Sequence, residues 1–373
     1  MCVCIYIYNI FGFHKKKGGL RGEIDDMLNI VPSLLCLFSF IAGNGGVCGN
    51  EKTDGAATTT GFVGRNGTHF VVRGERMYLN GFNAYWMMNA AADTASRTTV
   101  TAALRQASAV GMNVARTWGF HEGGYEPLQI SPGSYNEHVF QTMLTRKNTI
   151  TGVMYKDDPT IFAWELINEP RCNDPSGSTL QKWVKEMAAY VKSIDSNHLL
   201  EVGLEGFYGK SRPERMIYNP NTGITGSDFL SNNLIPDIDF ATIHIYPDSW
   251  LPQQTDQIGF VDKWVRAHIH DCDTLLKKPL VIAEFGKSSM ASGFSLDKRN
   301  MFFRRIYRMI YESARAGSSG AGGIFWQLST RGTGKLGDGY EVFLEEGSST
   351  ARVIADQSTK LSSLMFRTTL NSL

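Results

Sequence analysis

Two glutamates in the segment WELINEP (residues 164–170) are the first candidates for chemistry in this sequence. The apolar run at 161–164 and Pro170, which cannot donate to a sheet ladder, predict a buried strand that ends near Glu169. Side chains alternate along a strand, so Glu165 and Glu169 are predicted to share one face. A carboxyl group at the open end of a buried strand is partly desolvated and still reachable, which suits a general acid. The alternative is a structural ion pair, because such networks also shift carboxyl pKa values.

Other strand-like runs also end in polar or aromatic side chains. NVARTWG ends with Arg116 and Trp118, and ATIHIYP ends with His244 and Tyr246. VIAEFG contributes Glu284, and GIFWQL contributes Trp326. Glu284 is the partner that Glu169 needs. Two carboxylates at the ends of separate strands, surrounded by aromatic rings that can stack on sugars, are the groups that glycoside hydrolysis requires. One would serve as the acid and the other as nucleophile or base.

Strand-like and helix-like stretches alternate from residue 61 onward, which predicts an α/β fold with parallel strands. A hairpin is predicted at 69–81 and amphipathic helices at 100–110 and 180–191. The strand-like runs are 81–86, 113–118, 161–169, 199–203, 239–246, 279–285 and 323–328. A (β/α)8 TIM barrel gathers its site from the carboxyl ends of several strands, whereas a doubly wound sheet places a Gly-rich loop after one strand. None of the strand-like runs leads directly into such a motif, so the barrel is predicted.

The sequence also resembles the plant endo-β-1,4-mannanases of glycoside hydrolase family 5, from about residue 61 to about residue 363. The resemblance rests on FVGRNGTHF, NGFNAYW, VARTW, LQISPGSYNE, YKDDPTIFAWELINEPRC, DFATIHIYPD, EFGKS and GGIFWQL. It implies a (β/α)8 barrel whose two catalytic glutamates follow strands four and seven. Carried over by position, it implies Glu169 as acid/base, Glu284 as nucleophile and Asn168 as a contact to the sugar 2-hydroxyl.

The same resemblance implies four supporting residues. Arg116 would hold the nucleophile, His244 and Tyr246 would assist, and Trp326 would form the floor of the −1 subsite. Independently of the resemblance, four aromatic residues near strand ends are weighed as walls of a sugar cleft or as core: Trp86, Trp118, Tyr208 and Trp250. Of these, Trp86 and Trp118 are predicted to contact the substrate.

The resemblance is interrupted near Gln141 and Thr142, where one βα unit is missing. Between the strand-like runs 113–118 and 161–169 there is one helix-like stretch and no further strand, so seven strands remain of the eight expected. We interpret the gap as a skipped exon or a faulty gene model. Either strands two and four pair directly, or a seam of unpaired backbone is left between them. Both outcomes predict poor folding and a displaced catalytic pair.

The N-terminal region is predicted to be a targeting segment. Residues 30–42 form an apolar run of signal-peptide length, too short to span a membrane, and cleavage is predicted near Gly49. Met27 is an alternative start, and a disordered tail on a cytosolic protein is the other interpretation. The predicted division is 1–49 for extension and signal peptide, 50–60 for a linker and 61–373 for the barrel. Secretion to the plant cell wall would make Asn66, in the sequon NGT, a glycosylation site.

Composition excludes several classes of partner and cofactor. A net charge of +1 without a long basic block argues against binding to nucleic acid or to anionic membranes. The protein is expected to be a monomer. A disulfide between Cys172 and Cys272 is left open. The run HIHDCD (268–273) is not expected to bind metal, because helical residues two apart point away from each other. No metal or cofactor is expected.

These observations predict a secreted, retaining endo-β-1,4-mannanase acting on mannan, galactomannan and glucomannan. Because of the missing unit, a catalytically impaired isoform or mannan-binding pseudoenzyme is the first alternative. A mannan transglycosylase or a β-glucanase, which would keep the two carboxylates, is the second.

Overall fold

The structure is a computed structural model. It describes residues 2–6, 61–119, 129–131, 134–149, 151–220, 225–253, 256–331, 333, 337–344 and 347–370. The predicted signal-peptide core (30–42), the linker (50–60) and the cleavage point near Gly49 lie outside the described residues.

Eight parallel strands form the central sheet. Their order is β10-β9-β1-β6-β5-β13-β12-β11. The strands are β1 (Cys2–Tyr6), β5 (Leu79–Asn83), β6 (Val114–Trp118), β9 (Ile161–Glu165), β10 (Leu199–Glu201), β11 (Ala241–Ile245), β12 (Leu280–Phe285) and β13 (Gly320–Phe325). Several are buried along their whole length, as expected for parallel strands covered on both faces.

The two outer strands of this order, β10 and β11, meet and close the barrel. The backbone N–H of Asp239 donates to the carbonyl of Leu200 (2.7 Å), and the N–H of Leu200 donates back to the Asp239 carboxylate (2.9 Å). The hydroxyl of Thr242 on β11 donates to Glu201 on β10 (2.7 Å). The fold is therefore the predicted TIM barrel, with the chain passing around it in sequence order from β5 to β13 except at one position.

That position is the third, and the N-terminal strand β1 occupies it. Cys2–Tyr6 pairs in parallel with Val114–Trp118 on one side and with Ile161–Glu165 on the other. The prediction of seven strands, paired directly or separated by an open seam, is therefore wrong, and residues 2–6 belong to the barrel and not to a separate extension. The physical reason is that backbone N–H and C=O groups inside a barrel must be paired, and CVCIY is an apolar run able to supply the pairs.

Between β6 and β9 the described residues add no strand to the barrel, as the gap in the sequence predicted. They form a small hairpin, β7 (Gln129–Ser131) and β8 (Ser134–Tyr135), followed by helix α3 (Glu137–Thr145). The chain then passes through a short 3₁₀ helix, Tyr155–Asp157, into β9.

The N-terminal end of the barrel is closed by a three-stranded antiparallel sheet that contains the predicted hairpin. Its strands are β2 (Gly64–Asn66), β3 (His69–Val72) and β4 (Glu75–Met77). Phe70 of β3 packs edge-on against Phe162 and Phe240, with ring centroids 5.1 and 5.2 Å apart. This apolar plug leaves the carboxyl ends of the strands as the open end of the barrel.

Helices cover the outside of the barrel, and both amphipathic predictions are confirmed within a few residues. They are α1 (Met87–Ala92), α2 (Arg97–Ala109), α4 (Ser178–Ile194), α5 (Phe229–Asn233), α6 (Pro247–Trp250), α7 (Gln257–Asp271), α8 (Leu296–Arg315) and α9 (Ser349–Leu370). Helix α8, for example, buries Phe303 and Tyr307 against Phe285 of β12. Within the described part of the chain, no helix has the length and apolar character needed to cross a membrane.

Candidate active site

Glu284 lies on β12 itself, whereas Glu169 lies four residues beyond the end of β9. The predicted strand 161–169 is too long: regular pairing stops at Glu165, and Glu169 adopts a left-handed backbone conformation with φ of 51°. The shared face predicted for Glu165 and Glu169 is therefore wrong. Strand alternation ends where the ladder ends, and the backbone turn directs the Glu169 side chain into the mouth of the barrel.

Gly203 makes this turn sterically feasible. The N–H of Glu169 donates to the carbonyl of Gly203 (2.9 Å), and Gly203 has a φ of 94°. A Cβ at this position would lie 1.8 Å from the carbonyl oxygen of Ile167 and 2.5 Å from a carboxylate oxygen of Glu165. Glycine is thus required by the close approach of two backbones as well as by its conformation.

Arg116, fully buried on β6, holds Glu284. One terminal nitrogen (Nη1) donates to Glu284 Oε1 at 2.5 Å and to Asn83 Oδ1 at 2.8 Å. The other (Nη2) donates to Asn168 Oδ1 at 2.8 Å. Since the amide oxygen of Asn168 is engaged, its NH2 group is the part that can meet a sugar hydroxyl. These contacts bring together three residues predicted from the sequence.

Glu165 lies below the site and orients Arg116. The guanidinium donates to both carboxylate oxygens of Glu165, from Nη2 at 2.9 Å and from Nε at 3.2 Å. Burial raises the pKa of Glu165 well above its usual range. The charge of Arg116 lowers this pKa and the charge of Glu201 raises it, and the net shift is upward. Of the two glutamates in WELINEP, one is therefore structural and the other reaches the cleft.

His244 bridges the carboxylates of Glu169 and Glu284. Its Nδ1 lies 2.7 Å from Glu169 Oε1 and 3.6 Å from Glu284 Oε2. Burial lowers the pKa of His244, but the negative charges of Glu284 and Glu169 outweigh it and the net pKa is raised. Burial raises the pKa of Glu169, but the hydrogen bond and charge of His244, with Arg171 and Arg116, bring it below its usual range. Both shifts favour the form of the pair in which the imidazole carries the proton and Glu169 is a carboxylate.

Tyr246 completes the environment of Glu284. Its hydroxyl donates to Glu284 Oε2 at 2.6 Å. Burial, and then the adjacent charge of Glu284, raise the pKa of Tyr246 well above its usual range, so the hydroxyl keeps its proton and remains a donor. Glu284 thus accepts from Arg116 on one oxygen and from Tyr246 on the other. A carboxylate held in this way is fixed in orientation, as an attacking nucleophile must be.

The carboxylates of Glu169 and Glu284 are close enough to act on the same bond. One oxygen of each, together with a ring nitrogen of His244, lie within 4.8 Å of one another. Among the described residues this trio is also the group of side chains that could contact a common metal ion. The hydrogen bond from His244 to Glu169 already uses two of those atoms, so their arrangement is that of a proton-sharing pair.

Three aromatic rings flank the carboxylates. Trp326, half-buried and just after β13, lies edge-to-face with Trp118 at 5.4 Å and nearly parallel to Tyr85 at 5.8 Å. The guanidinium of Arg116 lies 5.3 Å from the centre of the Trp118 ring. Trp326 and Trp118 are therefore in the site, as predicted. Tyr85 adds a third ring that can extend the surface on which a sugar stacks.

Three other aromatic candidates are buried or partly buried. Trp86 is only 6% exposed and donates its indole N–H to the carbonyl of Leu328, so it is core and its predicted substrate contact is wrong. Tyr208 is buried with its hydroxyl on Asp271. Trp250 is partly buried and packs against Tyr246 at 6.2 Å. The sequence did not distinguish these residues from Trp118. The loop after a strand determines whether an aromatic side chain at the strand end points into the core or into the cleft.

Sequence reasoning missed four polar residues near the site: Asn83, Arg171, Glu205 and Asp338. Asn83 ends β5 within the quoted motif NGFNAYW, so its position at a strand end was the available signal. Arg171 follows Glu169 by two residues, contacts the Glu205 carboxylate and lies 3.9 Å from Glu169 Oε2. Glu205 and Asp338 lie in loops, where no periodic pattern predicts the direction of a side chain.

Glu205 gives a testable pH dependence. Burial, followed by the charge of Glu169, raises its pKa to about 7, against the opposing effect of Arg171. The folded protein therefore binds this proton more tightly than the unfolded chain does, so stability falls as pH rises from about 4.5 to about 7. Relative to Glu205→Gln, which does not titrate, the parent should lose about 3 kcal/mol of unfolding free energy over that interval.

Urea unfolding at pH 4.5, 6 and 8 measures this difference, with the exposed Glu214→Gln as the matched control. Curves for the parent and Glu205→Gln that stay parallel across the three pH values would show that Glu205 titrates normally.

Other predicted features lie outside the cleft. In HIHDCD, both ring nitrogens of His268 lie 2.7 Å from backbone carbonyl oxygens, and so face the backbone. Cys172 and Cys272 are free thiols in the structure. Asn66 is exposed at the end of β2, where an attached glycan would meet solvent; its modification remains a prediction.

Comparison with known proteins identifies similar sequences along most of the chain. Residues 134–347 match the family model described as GH family 5 β-mannosidase-like. The mannan endo-1,4-beta-mannosidase 1 of Arabidopsis thaliana is 58% identical, with 91% of this chain and 98% of that protein covered. The mannan endo-1,4-beta-mannosidase 4 of Solanum lycopersicum is 44% identical, with 84% and 95% covered. The Arabidopsis alignment extends over 409 positions, more than the 373 residues of this chain, so it contains gaps on this chain's side.

Solved structures support the same fold. An endo-1,4-beta-mannanase from Rhizomucor miehei superposes with a TM-score of 0.63 at 24% identity, covering 81% of this chain and 99% of that one. An endo-beta-1,4-mannanase from Thermotoga petrophila gives 0.62 at 24% identity, covering 76% and 77%. At this identity the likeness concerns the fold.

Proposed function

The chain belongs to glycoside hydrolase family 5, and we propose that it is a retaining endo-hydrolase of β-1,4-mannosidic bonds in mannan, galactomannan and glucomannan. The observation that carries the proposal is the arrangement of the two carboxylates, with oxygen atoms within 4.8 Å of each other across His244. Retaining enzymes place their carboxyl groups about 5 to 5.5 Å apart, whereas inverting enzymes leave about 6.5 to 9.5 Å for a water molecule. The plant relatives are mannan endo-1,4-beta-mannosidases, and they supply the substrate class.

In the first step, a carboxylate oxygen of Glu284 attacks the anomeric carbon while Glu169 gives a proton to the departing glycosidic oxygen. The C–O bond to the leaving sugar breaks, and an ester to Glu284 forms. His244 supplies the proton through its 2.7 Å contact with Glu169. As Glu284 loses its charge on forming the ester, the charge that raises the pKa of His244 is removed, so the imidazole releases its proton at the stage when the leaving group needs it.

In the second step, water enters in place of the leaving sugar. Glu169 takes a proton from the water and passes it back to His244, the oxygen attacks the anomeric carbon, and Glu284 departs as a carboxylate. Arg116 and Tyr246 stabilise the charge that returns to Glu284. Two displacements at the same carbon restore its configuration.

Digestion of mannohexaose followed by proton NMR tests this proposal. The first product signal should be the β-anomer, with the α-anomer appearing later by mutarotation. Initial formation of the α-anomer would overturn retention. Parallel assays on galactomannan, glucomannan, cellulose and xylan test the substrate class, and faster hydrolysis of cellulose than of mannan would contradict it. The complete set of catalytic contacts supports an enzyme over a mannan-binding pseudoenzyme.

We also propose that the mature protein is secreted to the cell wall as a monomer. The apolar run at 30–42 and the exposed Asn66 sequon support secretion. Cleavage near Gly49 would remove β1, so an active processed form requires the strand that a restored βα unit would supply, and the present chain is expected to be active only while it keeps residues 2–6. N-terminal sequencing of extracellular protein tests cleavage, and light scattering after gel filtration tests the monomer. An N-terminus at Met1 on the extracellular protein would contradict cleavage.

A further inference from the structure

Asp338, in the loop before the short strand Val342–Phe343, lies at the indole N–H edge of the Trp326 ring. Its Oδ2 atom accepts a hydrogen bond from the indole N–H of Trp326 at 2.8 Å and another from the side-chain amide of Gln327 at 2.8 Å. Its Oδ1 atom accepts from the backbone N–H of Tyr340 at 3.0 Å. One carboxylate therefore joins the ring, the residue after it and its own loop.

The hydrogen bond to the indole limits how the Trp326 ring can turn. Trp326 is only half-buried, so packing alone encloses part of the ring, with Trp118 on its edge and Tyr85 parallel to it. A charge-assisted hydrogen bond at Nε1 fixes the remaining rotation about the ring axis. An oriented ring presents one face to the sugar, whereas a freely turning ring must be ordered on each binding event.

Asp338 is itself held from the nucleophile side of the barrel. The hydroxyl of Ser288, three residues after β12, donates to the backbone carbonyl of Asp338 at 2.8 Å. Tyr340 donates its hydroxyl to Asp248 at 3.3 Å, and Asp248 also accepts from the Ser288 N–H at 2.8 Å. The Tyr340 ring packs edge-on against Tyr246 at 5.1 Å. The loop thus links the Trp326 ring to the segment that follows Glu284 and to the tyrosine that contacts Glu284.

We propose that Asp338 is a positioning residue that fixes the Trp326 ring relative to the Glu284 nucleophile, an inference that rests on the proposed glycosidase function. It acts through the indole N–H and not by touching the sugar. Because the same loop contacts the surroundings of Tyr246, the ring and the nucleophile keep a constant relation when a polysaccharide chain enters.

Steady-state kinetics on mannohexaose compare Asp338→Ala, Asp338→Asn and Glu341→Ala. Glu341 is the matched control, because its carboxylate holds the same loop through the Gly337 N–H at 3.2 Å. We expect Asp338→Ala to lower kcat/KM by about tenfold to a hundredfold, the range that a hydrogen bond to a charged group supports, with an unchanged pH optimum. Asp338→Asn keeps an acceptor oxygen and should recover most of the loss. An equal loss in Glu341→Ala would show that the loop as a whole, and not the indole contact, matters.

A double-mutant cycle with Trp326→Phe isolates the contact, because phenylalanine has no indole N–H. In the Trp326→Phe background, Asp338→Ala should change kcat/KM by less than about threefold, since contacting residues are non-additive. Full additivity would overturn the proposal.

Proton–nitrogen NMR of the tryptophan indoles separates this inference from the proposed function. The Trp326 signal, assigned by its loss in Trp326→Phe, should shift and exchange faster with solvent in Asp338→Ala. If the parent does not hydrolyse mannan but this shift is seen, the proposed function fails and the Asp338 contact stands. If the parent hydrolyses mannan and the signal is unchanged, the inference fails alone.

Discussion

Replacing Glu284 with alanine should abolish hydrolysis of every substrate, with a loss in kcat on the order of 10⁶-fold, as when a catalytic nucleophile is removed from another hydrolase. The physical reason is that no other carboxylate occupies the position fixed by Arg116 and Tyr246. Without Glu284 the covalent intermediate cannot form, whatever the leaving group. Mannohexaose and an aryl mannoside should therefore both fail to turn over.

Glu169→Ala should behave differently, and the contrast tests the two roles. On mannohexaose, loss of the acid should cost about 10²- to 10⁴-fold. On an aryl mannoside with a good leaving group, the first step needs little protonation and should be nearly retained, so that the covalent intermediate accumulates. Added azide, which needs no general base, should then release a β-mannosyl azide. Equal losses of Glu169→Ala on both substrates would show that Glu169 is not the acid/base.

Melting curves of both variants control for folding. Glu284 and Glu169 are held by side-chain contacts at the mouth of the barrel, not in the apolar core, so both variants should unfold cooperatively. A variant that fails to fold is replaced by the corresponding glutamine, which keeps the shape and removes the charge.

Removing residues 1–26, so that the chain starts at Met27, should unfold the chain as written. The deletion takes away β1, a strand that pairs with both Val114–Trp118 and Ile161–Glu165. Each buried backbone group left unpaired costs about 1 to 3 kcal/mol, and a domain has only about 5 to 15 kcal/mol of stability in total. The two neighbours of β1 lead to Arg116 and Glu169, so activity should be lost together with cooperative melting.

The matched control is a version with the family's missing βα segment restored between Gln141 and Thr142. With a strand of its own in the third position, the restored chain should melt cooperatively and be active with or without residues 1–26. Circular dichroism melts and mannohexaose assays of the four chains give the result. If the chain as written melts and turns over equally well after the deletion, β1 does not contribute to the barrel.

The sequence by itself determined the barrel and most of the residues that meet in the candidate active site. Strand-helix alternation predicted the fold, and the ends of its strand-like runs supplied Arg116, His244, Tyr246, Glu284 and Trp326. These predictions succeed because the parallel strands of a barrel all end at the same end of the barrel. Polar residues at the carboxyl ends of buried strands therefore lie close together there. The gap between the second and fourth strands was also visible in the sequence alone.

The tertiary structure decided what depends on contacts between distant segments. Nothing local in CVCIY indicates that it fills the third position, because pairing is set by the unpaired backbone of two strands more than a hundred residues away. Glu169 and Glu165 were separated by a backbone turn that the close approach of Gly203 requires. Tertiary contacts likewise place Trp86 in the core and Trp118 in the cleft. Local periodicity predicts which face of an element is buried. The residues that this face contacts are determined only by the tertiary fold, because they come from distant parts of the chain.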